Sequence, residues 1–312
     1  MIAARQRTRR LVAPKRDVSK LQERRNLLKG LLFISPWIVG FLAFTVYPIL
    51  YSLVLSFTRY SGFQSPIWLG WQNYTRLFTD SLIWISLYNT LFYTLLAVPI
   101  GIVVAILLAV AMNHSVREVA VYRAALYLPS ILPIFALSFI FLALLNPGYG
   151  LVSYILASLG LPQINYLSDP NGAKIVIVAM AQLGAGNAAL IFLAGLRGIP
   201  RTLYEAARID GAGSIRSFFS ITFPLLTPII LYNLITGLSA GMQVFTQAYI
   251  MTAGGPNNAT LFYVYYLYNN AFRYAQLGYA SAVALVLFVI GLLLAFALFI
   301  ATKRFVHYEL VS

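Results

Sequence analysis

The chain has 312 residues, 60% of them hydrophobic and only 10% charged, against about 25% charged in ordinary globular chains, which excludes a soluble domain. It has no cysteine, which excludes disulfides, thiolate metal sites and a cysteine nucleophile. The formal charge of +14 does not mark a nucleic-acid partner, because ten of the 22 Lys and Arg residues fall in the first 29 positions, just before an apolar run, where a cationic segment is a topology signal.

Taken in chain order, residues 1–30 form a basic tail. Six long stretches then lack any Asp, Glu, Lys or Arg: 30–58, 81–116, 124–168, 175–196, 217–272 and 274–302. A bilayer core needs about 20 apolar residues per helix, so each stretch predicts one span. These are residues 31–57, 83–112, 126–145, 175–196, 225–251 and 279–301. The fold class is therefore an all-α, polytopic membrane helical bundle with six transmembrane helices. The apolar stretches 151–161 and 261–272 are too short to span and predict interfacial or re-entrant helices. The first apolar run is too long for a cleaved leader and has no small-x-small site, so it reads as a retained helix.

Orientation follows from the basic residues. With the N-terminus inside, 18 of them fall in the N-tail, the loops around Arg117 and Arg208, and the tail 303–312; Arg59, Arg76, Lys174 and Arg273 remain outside. This bias places both termini in the cytoplasm of a cell-membrane protein. Trp68, Trp71 and Tyr74 in the first outside loop, and Tyr263, Tyr265, Tyr266 and Tyr268 in the last, read as headgroup-level anchors. Several spans contain proline: Pro36, Pro48, Pro99, Pro129 and Pro133. Each breaks the backbone ladder, and broken helices are frequent where transporters bind substrate.

The cytoplasmic loop 197–224 reads RGIPRTLYEAARIDGAGSIRSFFSITFP. Pro200 and Thr202 can start a helix, with Glu205 near its positive end. Ala206 and Ala207 leave a small surface that a partner could approach. Gly211 can close the helix in a left-handed turn. A second short helix, residues 214–223, then precedes Pro224 and the next span.

Glu205-Ala206-Ala207, Asp210-Gly211, Ile221 and Pro224 resemble the EAA loop of binding-protein-dependent ABC importer permeases, and EAARIDGAG is similar to the maltose, trehalose and glycerol-phosphate branch. Phe223 stands where that branch usually has Leu. The resemblance extends over GWQNYTRLFTD (70–80), VYRAALYLPSILP (121–133), YLSDP (166–170) and MTAGGP (251–256). It implies a maltose-permease-like fold, a transmembrane permease domain at 31–302 and a coupling loop at about 198–224. It also implies the partners: a second permease, two cytoplasmic ATPases, an extracytoplasmic solute-binding protein and a carbohydrate, within membrane lipid. The chain has no GxxxxGK[ST] phosphate loop, so ATP and Mg belong to the partner ATPases, and the chain itself is a permease with no catalytic or metal site and no cofactor.

Neutral polar residues within the spans, Ser130, Gln182, Asn187, Asn233, Ser239, Gln243, Thr246 and Gln247 among them, suit sugar hydroxyls. The resemblance implies a substrate pathway lined at Ser130, Ile134, Leu183, Gly184, Asn187, Gly237, Gly241 and Val244, to which Gln243 is added as a span amide. Gly237, Gly241 and Val244 are smaller or less polar than the family's residues there, which fits a roomier pocket or a site shifted onto the second permease. The alternative function is an ion-coupled secondary sugar carrier. Such carriers bury coupling charges in their helices, and these spans have none.

Overall fold

The computed structural model describes residues 20–113 and 119–302. The first 19 residues of the basic tail, Arg117 and the tail 303–312 lie outside the described residues. The chain divides into two units, residues 1–51 and 52–312.

In the first unit, α1 (Lys20–Phe41) passes through a π turn (Leu42–Val46) into α2 (Tyr47–Leu55). The Tyr47 N–H bonds the Leu42 carbonyl across the wider turn. Such a turn loosens the ladder next to Pro48, whose ring has no N–H to give.

The second unit holds the last four residues of α2 and then an antiparallel pair, β1 (Thr58–Arg59) and β2 (Ile67–Trp68), with Thr58 opposite Trp68 and Arg59 opposite Ile67. After α3 (Gln72–Thr79), Asp80 caps α4 (Ser81–Met112), its side chain accepting from the Leu82 N–H at 3.0 Å. At 32 residues, α4 is about 48 Å long and forms the axis of the unit. Its buried side chains, Ile83, Ser86, Asn89, Thr90, Tyr93, Thr94 and Ala97, then Ile102, Ala105, Ile106, Ala109 and Met112, recur at three- and four-residue steps. That spacing puts them on one stripe.

Next come α5 (Val119–Ile131), α6 (Ile134–Leu144), α7 (Leu151–Ser158) and α8 (Pro170–Ala181). Asp169 caps α8 through the Gly172 N–H at 2.6 Å. A 3₁₀ turn (Gln182–Gly184) joins α8 to α9 (Ala185–Gly198). The remaining helices are α10 (Arg201–Ile209), α11 (Ser214–Ser217), α12 (Phe223–Gly241), α13 (Thr246–Met251), α14 (Tyr263–Tyr268) and α15 (Leu277–Thr302), with π turns at Phe218–Thr222 and Asn269–Arg273.

Five helical segments among the described residues are long and apolar enough to cross a membrane: Gln22–Leu55, Ser81–Met112, Pro170–Gly198, Ser214–Met251, which is interrupted at residues 242–245, and Leu277–Thr302. The expected third span, 126–145, is not one rod. It is α5 and α6, bent by 92° at Leu132–Pro133. Pro133 is extended (ψ 141°), and its ring drives the preceding residue out of the helical region. With this bent pair the spans number six, so the all-α membrane fold expected from the sequence is the one observed.

One core, at the Ser81 end of α4, gathers Leu77, Ile83, Tyr93, Ile177, Phe262, Tyr263 and Val283; another, at the Met112 end, gathers Ala105, Ala109, Phe192, Leu196 and Leu226. Here the anchor expectation fails for the tyrosine-rich segment. Tyr263, Tyr265 and Tyr266 are 0%, 4% and 5% exposed and belong to the first core, while Trp68 and Trp71 are exposed as expected. The chain between Met251 and Tyr263 returns as irregular backbone against α4. Asn89 donates to the Asn258 and Leu261 carbonyls at 2.8 and 3.2 Å, and Thr90 accepts from the Tyr263 N–H at 2.8 Å. Irregular backbone at membrane depth persists only where protein groups satisfy it in this way.

Candidate functional site

The loop after α9 begins with Pro200 in an extended conformation (ψ 132°), which ends one helix and starts α10. Gly211 closes α10 with φ +76°. The Ala212 N–H reaches the Ala207 carbonyl at 2.8 Å and the Gly211 N–H the Arg208 carbonyl at 3.1 Å. This pair of bonds is a Schellman closure, which requires a left-handed residue where Gly211 stands. The predicted second helix, 214–223, is not a separate element. α11 continues through the π turn into α12, so Pro224 lies in the first turn of α12, which ends at Gly241. The wider turn accommodates a residue with no N–H.

The Tyr204 and Thr222 hydroxyls, 2.8 Å apart, tie α10 to the base of α12. Tyr204, Phe218 and Ile221 pack on the core at the Met112 end of α4. At that same end Arg123 donates twice to the Met112 carbonyl, at 3.0 and 2.9 Å, a favourable place for a cation. Of the seven coupling candidates, Glu205, Ala206, Asp210 and Gly211 are exposed and Ala207 is half-buried. Ile221 and Pro224 are half-buried at the base of α12, apart from that surface. Sequence reasoning missed Ile209 and Ile215, 86% and 77% exposed on either side of the Gly211 turn. Their signal was two isoleucines in a loop with no helical stripe to claim them.

Half-way along α4 two hollows, about 430 and 360 Å³, share Ala97, Val98, Ala181, Gly237 and Ala240 as common wall. Gly184 and Asn187 line the first; Ile134, Gly241, Gln243 and Val244 line the second; Gly237 lines both. Ser130 and Leu183 line neither. Ser130 donates to the Tyr127 carbonyl at 2.7 Å and packs over Gly186, and Leu183 packs with Leu137, Met180 and Met251. The glycines do not simply add room. A side chain on Gly237 would meet Val98 at 2.9 Å, and one on Gly241 would meet Thr94 at 2.8 Å. Both positions are small because α12 crosses α4 closely.

Asn187 is exposed and accepts from the Tyr127 hydroxyl at 3.2 Å. Among the described residues, no charged one lines either hollow. Residues not assigned from sequence that do line them include Tyr232, Thr236 and Tyr93. Two buried polar atoms beside the hollows, Thr94 Oγ1 and Gln182 Oε1, have no hydrogen-bond partner among the described residues.

Residues 97–307 match the family described as "Binding-protein-dependent transport system inner membrane component". The chain is 41% identical over 290 residues to the probable ABC transporter permease protein YesP of Bacillus subtilis, covering 92% of this chain and 94% of the relative. It is 35% identical over 269 residues to the sulfoquinovosyl glycerol transport system permease protein SmoG of Agrobacterium fabrum, covering 85% and 87%. It is also 35% identical over 284 residues to the lactose transport system permease protein LacF of Rhizobium radiobacter, covering 89% and 95%. Among solved structures, a bacterial ABC transporter involved in the import of the acidic polysaccharide alginate superposes with a TM-score of 0.78 at 24% identity, covering 90% of this chain and 96% of that one; this likeness shows the fold. The six apolar crossings, the capped loop at the Met112 end of α4 and these relatives agree: the chain belongs to the binding-protein-dependent transport system inner membrane component family, and is a multi-pass permease of an ABC importer and not an enzyme.

Proposed function

We propose that this permease imports a neutral carbohydrate, a di- or oligosaccharide, and forms half of the pathway beside a second permease. The carrying observation is the pair of mid-span hollows, whose mainly aliphatic walls also hold amides, hydroxyls and aromatic rings and, among the described residues, no charged side chain. Such groups match sugar hydroxyls and ring faces, and among the described residues no cation lines the hollows to neutralise an acidic substrate. The names of relatives that carry lactose and arabinooligosaccharides support the same class. Two cytoplasmic ATPases each receive one loop of the Glu205 type, and an extracytoplasmic binding protein delivers the sugar. Residues 31–302 form the permease domain, and the tails 1–30 and 303–312 are cytoplasmic.

Reconstitution with the partner permease, the ATPases and the binding protein tests this reading. Neutral oligosaccharides should stimulate ATP hydrolysis and enter vesicles. Stimulation by charged substrates alone would reject it.

Orientation has its own test, helped by the absence of native cysteine. Ser214→Cys, at the α10–α12 loop, should react with an impermeant thiol reagent only in inverted vesicles. Ser65→Cys, exposed in the hairpin, should react only in right-side-out vesicles. The opposite pattern would reverse the topology.

Asn187 offers the smaller substrate test. Its carbonyl oxygen is used by Tyr127, which leaves the amide N–H groups as its donors, and the residue lines a hollow. A sugar hydroxyl is a fitting acceptor. Asn187→Leu should weaken transport several-fold, the loss of about 1 kcal/mol expected for one hydrogen bond, with basal ATP hydrolysis unchanged. Tyr127→Phe separates the two roles: it removes the interhelical bond and should leave most of the transport. Equal loss in both variants would assign Asn187 to packing.

A further inference from the structure

A hollow of about 570 Å³ with mixed polar and apolar walls lies at the Ser81 end of α4, lined by none of the coupling-loop or substrate-pathway residues. Its walls come from β1 and the loop after it, α3 and the start of α15. The hairpin is pinned against α15. The Gly278 N–H donates to the Tyr60 carbonyl at 3.1 Å, and the Thr58 carbonyl occupies the space a Gly278 side chain would need.

Two guanidinium residues line this hollow, Arg59 and Arg76, with Ser61, Gln72 and Gln276, and among the described residues no Asp or Glu does. Arg76 is held in place: its Cζ lies 4.1 Å above the Tyr279 ring, and its Nη1 donates to Gln276 Oε1 at 2.8 Å. A guanidinium has five N–H donors, so a fixed Arg76 keeps several for a ligand. Asp80 is near Arg76 but does not line the hollow; it accepts from the Tyr266 and Tyr279 hydroxyls and the Leu82 N–H. Burial raises its pKa, but those bonds and Arg76 outweigh burial and hold the carboxyl below its ordinary value.

The level of the hollow identifies the ligand. The apolar run of α15 begins at Leu277, next to the lining residue Gln276, and α2 ends at Leu55, three residues before Thr58. On the same hairpin and at the start of α3, Phe63, Trp68 and Trp71 are 90%, 67% and 68% exposed. Exposed tryptophan where apolar spans begin marks the headgroup region, and guanidinium groups at that level suit a phosphodiester. We propose that this hollow binds the phosphodiester headgroup of an anionic phospholipid in the leaflet opposite the Glu205 loop. The guanidinium groups hold the phosphate oxygens, as planar donors do. Ser61, Gln72 and Gln276 meet headgroup hydroxyls.

The test uses the complete importer, delipidated in detergent and titrated with dioleoylphosphatidylglycerol or dioleoylphosphatidylcholine, with bound lipid read by native mass spectrometry. Phosphatidylglycerol should be retained in preference to phosphatidylcholine. Arg59→Gln and Arg76→Gln should each weaken retention about five-fold, the expectation for one cation at a headgroup. Arg59→Gln changes an exposed side chain and keeps the test valid if Arg76→Gln disturbs folding. Equal retention of both lipids, or unchanged retention in Arg59→Gln, overturns the proposal. Displacement of phosphatidylglycerol by millimolar glycerol 3-phosphate would assign the hollow to a free phosphate and overturn the lipid. Weaker capture of the binding protein by Arg59→Gln in lipid-free detergent, with lipid retention intact, would assign it to an acidic protein surface and likewise overturn it.

Discussion

Gly211→Pro and Glu205→Lys should leave the chain inserted and assembled with its partner permease, yet abolish transport and substrate-stimulated ATP hydrolysis together. Gly211 has φ +76°, and proline is locked near −65°, so the Schellman closure cannot form. Both the Ala212-to-Ala207 and the Gly211-to-Arg208 bonds are lost or strained, at about 1–3 kcal/mol of backbone strain. α10 would then no longer present Glu205 and Ala206 in one fixed orientation. Glu205 itself is exposed, and its reversal to lysine leaves the chain's own fold untouched, so any loss belongs to a partner contact. Losses of at least about tenfold are expected in each variant, the effect of 1.4 kcal/mol. Gly211→Asn is the control, because Asn tolerates the left-handed region and should retain most coupling. Normal stimulated hydrolysis in both Gly211→Pro and Glu205→Lys would remove this loop from the coupling path.

The six crossings were legible because a bilayer allows so few solutions. A charge within lipid is costly, so charge-free stretches such as 81–116 and 274–302 announce their helices, and those two appear as Ser81–Met112 and Leu277–Thr302. Gly211 was legible for a local reason, since its conformation depends only on its neighbours. What depends on tertiary contact was not. Composition counts apolar residues through 126–145 but carries no information on direction, so the 92° turn at Leu132–Pro133 was invisible even with both prolines noted. The tyrosines at 263, 265 and 266 looked interfacial because tyrosine prefers that level. They are buried because Asn89 and Thr90 draw their segment back against α4. The sequence also shows which residues are small, but not what fills the space beside them, and for Gly237 and Gly241 that neighbour proves to be α4.

That seam gives the second large effect: Gly241→Ala should destabilise the importer, and Thr94→Ala should rescue it. Gly237 and Gly241 are four residues apart on α12, and the side chains over them, Val98 and Thr94, are four apart on α4. Two such rows interlock only while the glycines lack a Cβ. A Cβ on Gly241 would lie 2.8 Å from Thr94 Cγ2, 2.9 Å from its Oγ1 and 3.2 Å from its Cβ. Helix α12 must then move off α4 at the common wall of both hollows, with an overpacking cost of about 1–3 kcal/mol. Thr94→Ala removes the two nearest of those atoms. The Thr94 hydroxyl is buried without a hydrogen-bond partner among the described residues, so its removal costs little by itself and relieves an unsatisfied group. Residues in direct contact are not additive, and the double variant should be markedly more stable than Gly241→Ala alone. The melting temperature of the purified complex and the transport rate should recover together. A purely substrate-lining role for Gly241 predicts otherwise: altered sugar affinity, unchanged melting temperature and no rescue by Thr94→Ala. That result would mean α12 and α4 are free to separate at this point, and that the small residues serve the sugar and not the crossing.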